Sequence, residues 1–422
     1  MGTFSEYSEA EQKFLSFVSY PGRHLWIGEF PIVDADKINI KKCTNYRTSG
    51  CNYTKYSVIW IIEDYLSDIK EWRIVLDELI RLLEKDGLIV CRYKKSAKYF
   101  SNIALKNFLA RRFLCDVDLV LEQDNLDIGI TTSVFKIKRK NLEIYKDKSW
   151  TFGIITSGNK VDNVVKFCQS VRDQIGGSEH EIIIVGPKEK EYGKFNVKHL
   201  EVIVDESKGE ICKKKNAIIK ASNGSNIVIA HDRYYLANNF VESFDIYGYD
   251  FDYLTVPQFY EDGNVFPALN GFNSDKLYWS SVYYTENFNI YPDNVFVNGA
   301  FIVLKKDTAQ KLPFNDLLYW NQAEDVELAK YYLNNSLVPR VNSITAAYTL
   351  GITSEYTSTI LSIEKDCITN SSLKNKYTVN DPSIFVLLRI IITSILHRFS
   401  ISKNKTQTRI KKVDVSYMCI TV

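Results

Sequence analysis

The chain has 422 residues, about three times a ~150-residue domain, so two or three domains are expected. Hydrophobic residues at 45% and charged residues at 25% exclude a disordered chain, and a chain this long needs no disulfide staples. With 53 Lys and Arg against 51 Asp and Glu the formal charge is +2, which gives no footing to nucleic-acid binding.

That near-neutrality conceals a local imbalance. Between Pro382 and Lys412 stand seven cations and no acid, leaving the rest of the chain at about −5. The eight cysteines, at 43, 51, 91, 115, 168, 212, 367 and 419, form no C-x-x-C pair, and five histidines offer little to complete a zinc site. The opening stretch MGTFSEYSEAEQKF is acidic and lacks an apolar signal core, so reduced thiols in a cytosolic compartment are expected.

The first region, residues 1–145, holds an apolar run rich in β-formers, Tyr56–Ile62, that reads as a buried strand. Ile69, Trp72, Leu76, Leu79 and Leu83 then recur at helical spacing, Gly87 supplies a stop that needs φ > 0, and Leu88–Arg92 is the next strand. Strand, helix and strand make a β-α-β unit with parallel pairing. The element Leu82-Leu83-Glu84-Lys85-Asp86-Gly87 resembles the back half of a class I methyltransferase. For the Gly-rich ligand turn of that family this chain offers only Trp26-Ile27-Gly28-Glu29-Phe30. The resemblance therefore implies a degenerate, smaller Rossmann-like α/β domain used for scaffolding or partners.

The second region, residues 146–350, follows a basic stretch, Lys136–Lys140, that reads as a linker. Trp150–Thr156 is a strand closed by the turn Ser157-Gly158-Asn159, and Val161, Val164, Val165, Cys168, Val171 and Ile175 mark a helix. Strands follow at Glu181–Val185, Leu200–Val204 and Asn226–Ala230, with a helix from Asn216 to Ala221. Alternating strands and helices give a doubly wound α/β sheet, which binds ligands at the carboxyl ends of its strands. His231-Asp232 stands at such an end. In the third region, residues 351–422, the apolar run Ile384–Leu396 is shorter than a spanning helix and contains Arg389. With the cations that follow, it reads as an amphipathic helix lying on an anionic membrane surface.

One order of features stands out in the second region. It runs from the turn Ile155-Thr156-Ser157, through Val185-Gly186, to the cationic turn Lys213-Lys214-Lys215-Asn216. His231-Asp232-Arg233, the segment Val297-Asn298-Gly299 and the pair Glu324-Asp325 then follow, Trp320 standing just ahead of that pair. Over residues 151–345 this order resembles a GT-A-fold, nucleotide-sugar-dependent glycosyltransferase of the broad family-2 type.

The resemblance implies a nucleotide-sugar donor, a UDP-sugar favoured, bound by Thr156, Ser157, Gly186, Asp205, Lys215, Asn216, His231, Arg233, Asn298 and Gly299. The leaving diphosphate needs its charge neutralised, and Mn²⁺ or Mg²⁺ held by hard oxygen ligands does this. The family's Asp-x-Asp turn corresponds to His231-Asp232-Arg233. Asp232 would bind the metal, His231 would be a second ligand or a donor contact, and Arg233 would share the phosphate charge. Asp325 would be the general base that inversion requires, with Glu324 and Trp320 meeting the acceptor, the indole stacking on a sugar ring. An acid for the base of the nucleotide is replaced by Gly186-Pro187, so nucleotide identity stays open. The aromatics Tyr247, Tyr249, Tyr253, Phe259, Tyr260, Trp279, Tyr283 and Tyr284 suit a sugar-binding wall or a core equally.

The family implies a glycan or lipid-linked glycan acceptor in bacterial envelope polysaccharide synthesis, and a cytoplasmic protein peripheral on the inner membrane face. Two rivals remain. One is a bifunctional or methyltransferase-type enzyme using the first domain. The other is a non-catalytic glycan-binding scaffold, for which His231 in place of an acid is the sign.

Overall fold

The computed structural model describes residues 14–355, except 15, 64, 65, 127, 273–281, 285–293 and 321, together with strands Asp366–Ile368 and Met418–Thr421. The expected membrane-surface segment at 384–412 and Trp279 lie outside these residues. Among the described residues no helix is long and apolar enough to cross a membrane. The chain divides into two compact units. One comprises 1–147 with 245–251 and 332–338; the other comprises 148–244, 252–331 and 339–422.

The first unit is built on β1 (His24–Ile27), β2 (Asp36–Ile38), β3 (Tyr56–Ile61), α1 (Trp72–Leu82), β4 (Leu83–Lys94), α2 (Asn102–Ala110), β5 (Cys115–Asn125) and β6 (Ile130–Arg139). The six strands form one sheet in the order β2-β1-β3-β4-β6-β5. β3 and β4 pair in parallel around α1, as the β-α-β pattern requires, and β3 is buried along its whole length. Trp26, Val58, Trp60, Leu88, Val90 and Val134 pack together on the sheet. Trp72 of α1 meets Phe100 and Phe108 edge-on, at 5.3 and 5.6 Å between centroids.

Two expectations are corrected here. Gly87 is no helix stop. α1 ends at Leu82, Leu83 is already extended at φ −70° and ψ 145°, and Gly87 lies inside β4 where the Leu83 side chain leaves no room for a Cβ. Nor is Lys136–Lys140 a linker, for most of it is the end of β6, inserted antiparallel between β4 and β5. Its charges are tolerated there because β5 supplies acids: Lys138 pairs with Asp118 at 2.6 Å and Lys140 with Asp116 at 2.7 Å.

A buried ionic quartet fastens this unit. Arg81 on α1 binds Glu78 and Asp250, each at 2.6 Å, and Arg47 binds Asp250 at 2.8 Å and the Tyr247 carbonyl at 3.0 Å. Glu78 also accepts from the Thr48 amide and hydroxyl. Two cations and two acids cancel, and the remaining lone pairs are filled, which is the condition under which buried charge is tolerable. Asp250→Asn should therefore destabilise this unit by about 3–5 kcal/mol, read as an earlier transition in urea. An unchanged urea profile would deny the quartet that role.

The second unit contains β7 (Trp150–Ile155), α3 (Val161–Arg172), β8 (Glu181–Val185), β9 (Lys198–Leu200), α4 (Ile211–Ala221), β10 (Asn226–His231), β11 (Tyr234–Leu236), α5 (Phe240–Tyr247, only its first part in this unit), β12 (Tyr253–Thr255), β13 (Phe301–Lys305), α6 (Glu324–Asn334, likewise divided) and β14 (Arg340–Val341). The main sheet runs β9-β8-β7-β10-β13-β12-β14, parallel from β9 to β10 and antiparallel where β13 joins β10 and β12. The chain moves outward from β7 to β8 and β9, then returns to place β10 on the other side of β7. The carboxyl ends of β7 and β10 therefore flank a topological switch point. Gly153, midway along β7, leaves room for Ile218 of α4 to press on the strand.

The expected strand Leu200–Val204 is largely corrected. β8 ends at Val185, whose partner is Leu200, so the residues beyond have nothing to pair with and Ile203 is fully exposed. Helix α4 starts at Ile211, five residues before the predicted start, so the lysines lie within it and not in a turn before it. Among the described side chains of the aromatic-rich segment, Tyr247, Tyr249, Tyr253 and Tyr260 are buried in their units and Phe259 is half-buried.

Candidate functional site

At the switch point lies a cleft of about 430 Å³, within the size range of ligand pockets, lined by the ends of β7 and β10, the loop before α4, and Trp320. Of the residues expected from sequence, Thr156, Ser157, His231, Asp232 and Trp320 meet there. Thr156 Oγ1 donates to Asp232 Oδ2 at 2.8 Å, and Asn163 of α3 donates to the Asp232 carbonyl at 3.0 Å. Trp320 is 63% exposed, so it is a cleft-wall residue and not a core tryptophan; its amide is held by the Gly209 carbonyl at 2.7 Å.

The three consecutive lysines of α4 diverge because a helix turns about 100° per residue. Lys213 pairs with Glu210 at the surface, 2.7 Å away. Lys214 is buried in the cleft wall, donating to the Thr156 carbonyl at 3.1 Å and pairing with the exposed Glu206 at 2.6 Å. Lys215 is fully buried and binds the Gly299 carbonyl at 2.8 Å and Glu324 at 3.0 Å.

Around Lys215 forms a second cluster. Asp325 Oδ2 accepts the Gly299 amide and Oδ1 the Val326 amide, both at 2.9 Å. Burial first, and then the neighbouring Glu324 carboxylate, push its acid up to about 7, against the pull of the Gly299 amide and Lys215. Ala323, just before the pair, is held at φ 55°, a left-handed conformation that costs an L-residue roughly 1–2 kcal/mol. Gly299 has to be glycine for reasons of space: a Cβ there would stand 2.8 Å from Glu324 Oε1 and 3.1 Å from Lys215 Nζ. Cluster and cleft are neighbours, because the His231 amide on β10 donates to the carbonyl of Ala300, next to Gly299, at 2.9 Å.

The remaining expected residues serve the frame. Asn216 does not face the cleft; it donates to the Phe314 carbonyl and Asp316 and accepts the Phe314 amide. Asp205 closes its own turn through Ser207 and pairs with Lys208. Asn298 accepts the Ala300 amide. Arg233 lies 5.9 Å from the Tyr234 and Phe266 ring centres. Gly186, at φ 149°, lets the end of β8 pass against the Thr156 carbonyl. Glu206, Ser207, Lys208, Gly209 and Ile211 line the cleft without having been assigned to it. Their one sequence signal is a glycine shortly before a helix, here in left-handed conformation at φ 64°.

As a divalent-metal site the donor set is thin. Asp232 is the one carboxylate at the head of β10, and one of its oxygens already takes a hydroxyl. His231 Nε2 is buried with no hydrogen-bond partner among the described residues. Burial, and then the charges of Lys215, Arg233, Lys160 and Lys214, hold its imidazolium well below the usual range. Among the described residues no three His, Cys, Asp or Glu side chains are grouped to share an ion. In the first unit, the Gly28 turn is closed to a cofactor of its own: Glu63 accepts the Glu29 and Phe30 amides and the Trp26 indole at 2.8–2.9 Å.

No protein-family model and no curated protein matches the chain. Among solved structures, S. aureus TarS 1-349 in complex with UDP-GlcNAc aligns at 16% identity and a TM-score of 0.35, over 51% of this chain and 65% of that one. GalNAc-T7 with UDP, GalNAc and Mn²⁺ aligns at 10% and 0.38, over 68% and 61%. The mannosyltransferase PcManGT from Pyrobaculum calidifontis, in complex with GDP-Man and Mn²⁺, aligns at 8% and 0.34, over 50% and 61%. In each case the chain spans less than two thirds of the other's length. Overlaps at these scores carry no argument about function; the geometry of the cleft does.

Two outcomes are expected. Gly299→Ala should cost about 1–3 kcal/mol through overpacking, visible in the melting temperature; an unchanged melt would mean that Lys215 and Glu324 give way freely. Asp325, with its folded pKa raised from 3.8 to about 7, binds more proton folded than unfolded in that window, so its contribution to stability declines as pH rises through it. Asp325→Asn should therefore gain stability relative to the parent between pH 4 and pH 8, in urea midpoints. A constant difference would remove the raised pKa.

Proposed function

We propose that the protein is an inverting glycosyltransferase with a GT-A-like second unit, using a nucleotide-diphosphate sugar and a glycan acceptor. The observation that carries this reading is the half-buried carboxylate of Asp325, pushed up to about 7, beside a cleft at the switch point of a doubly wound sheet. A base titrating near neutrality is suited to take a proton from a sugar hydroxyl.

In the step this implies, the acceptor O–H gives its proton to Asp325. The acceptor oxygen then bonds to the anomeric carbon from the face opposite the leaving group. The bond from that carbon to the diphosphate oxygen breaks, and the electron pair leaves with the nucleoside diphosphate. Lys215 holds Glu324 in place through their ion pair at 3.0 Å. Trp320 offers an exposed apolar face for a sugar ring. A lipid-linked acceptor, an envelope role and residence at the inner membrane face extend this proposal and follow from the resemblance and the basic tail.

The test is a transfer assay with UDP- and GDP-sugars on the full chain, run beside Asp325→Asn. Transfer should fall at least 100-fold in the variant, as loss of a general base does, while nucleotide binding stays intact. In the parent, kcat/KM should rise with pH through about 7 as Asp325 loses its proton. Transfer surviving in Asp325→Asn would remove Asp325 as the base.

A further inference from the structure

We infer that Lys214, aided by His231, takes the donor's diphosphate directly, and that the cleft binds its nucleotide without a divalent cation. This rests on the donor cleft proposed above and departs from the metal that the resemblance implied.

Charge argues first. The head of β10 contributes one carboxylate, Asp232, while Lys160, Lys214, Lys215 and Arg233 all bear on His231. Lys215 is matched by Glu324. Mg²⁺ and Mn²⁺ want several hard oxygen ligands. Here such an ion would find Asp232 already accepting from Thr156, one imidazole, and Glu206 already paired with Lys214. A diphosphate would find in the same wall an ammonium, Lys214, and an imidazole, His231, both able to donate to its oxygens.

Geometry argues second. Lys214 is 5% exposed, an uncommon place for an ammonium, and of its three N–H donors one is directed to the Thr156 carbonyl. Another is met by Glu206, whose side chain is 58% exposed and whose carboxylate sits against the cleft lysine as a phosphate oxygen would. Glu206 stands in the loop that ends at Gly209, so an incoming anion can displace it into solvent. His231 Nε2, buried and unpartnered among the described residues, supplies a further donor in its Nε2-protonated tautomer. The two groups lie in one cleft wall with Thr156 and Ser157 between the strand ends.

The test is calorimetric titration of UDP, with GDP as a second probe, into the full chain in EDTA and again in MnCl₂. The expected result is equal affinity in both. Lys214→Met should weaken binding roughly ten- to a hundredfold, the worth of a charge-assisted hydrogen bond. Glu206→Gln should tighten it, because the competing carboxylate is gone; as a change on an exposed side chain it decides the matter even where Lys214→Met fails to fold. Nucleotide binding that requires Mn²⁺, or a Glu206→Gln affinity equal to the parent's, overturns this inference and leaves the donor cleft standing. If neither nucleotide binds under either condition, the proposed function falls with it.

Discussion

The second unit turns on one buried ammonium. Lys215 is fully buried, and its bonds to the Gly299 carbonyl and Glu324 join helix α4, the turn before β13 and the start of α6 at a single point. A buried lysine is stable only when its charge is met and its donors are filled. Glu324 meets the charge. Burial of Asp325, and then the like-charged Glu324 beside it, hold its proton to about 7 against the pull of two amides and Lys215. The same crowding makes a side chain at Gly299 costly. One acid of a structural ion pair thus adds to the effect of burial on the residue next to it.

Position follows from topology, and side-chain direction from helical pitch. The switch between β7 and β10 opens a crevice at their carboxyl ends, and α4 begins on its wall at Ile211. Because the helix starts there, Lys214 is turned to the cleft, Lys215 to the interior and Lys213 to solvent. A start at Asn216 would have left the three lysines in a loop with no such division of labour.

The parts of the fold most legible in the sequence are those whose burial is unbroken. Tyr56–Ile61, Trp150–Ile155, Glu181–Val185 and Asn226–His231 are apolar runs buried along nearly all their length, and each is a strand with bounds close to those expected. Where burial depends on a partner, sequence misleads. The run at 200–204 has strand-forming residues but outlasts β8, and Lys136–Lys140 has a linker's charge but finds acids across the ladder. The sequence places Thr156 and Asp232 at strand ends and Glu324-Asp325 at a helix start, and the structure has them there, because strand ends and helix starts leave a pattern. Lys214 and Asn216 were not legible, since a shift in helix start exchanges which residue faces the cleft. Glu206 to Gly209 has no periodicity to read.

The first unit's ionic quartet and Gly28 turn differ from the second unit's cleft in how their polar groups are satisfied. In the first, the quartet of Arg47, Glu78, Arg81 and Asp250 closes on itself, and Glu63 fills the three donors around Gly28. A turn so filled by the protein's own carboxylate has no donors left for a ligand. The second unit keeps a buried imidazole nitrogen without a partner among the described residues, and a cleft lysine matched by an exposed glutamate. Buried polar groups left unmatched cost stability, and a fold retains them where a ligand completes them. By that criterion the head of β10, and not the Gly28 turn, is the place for the proposed anion.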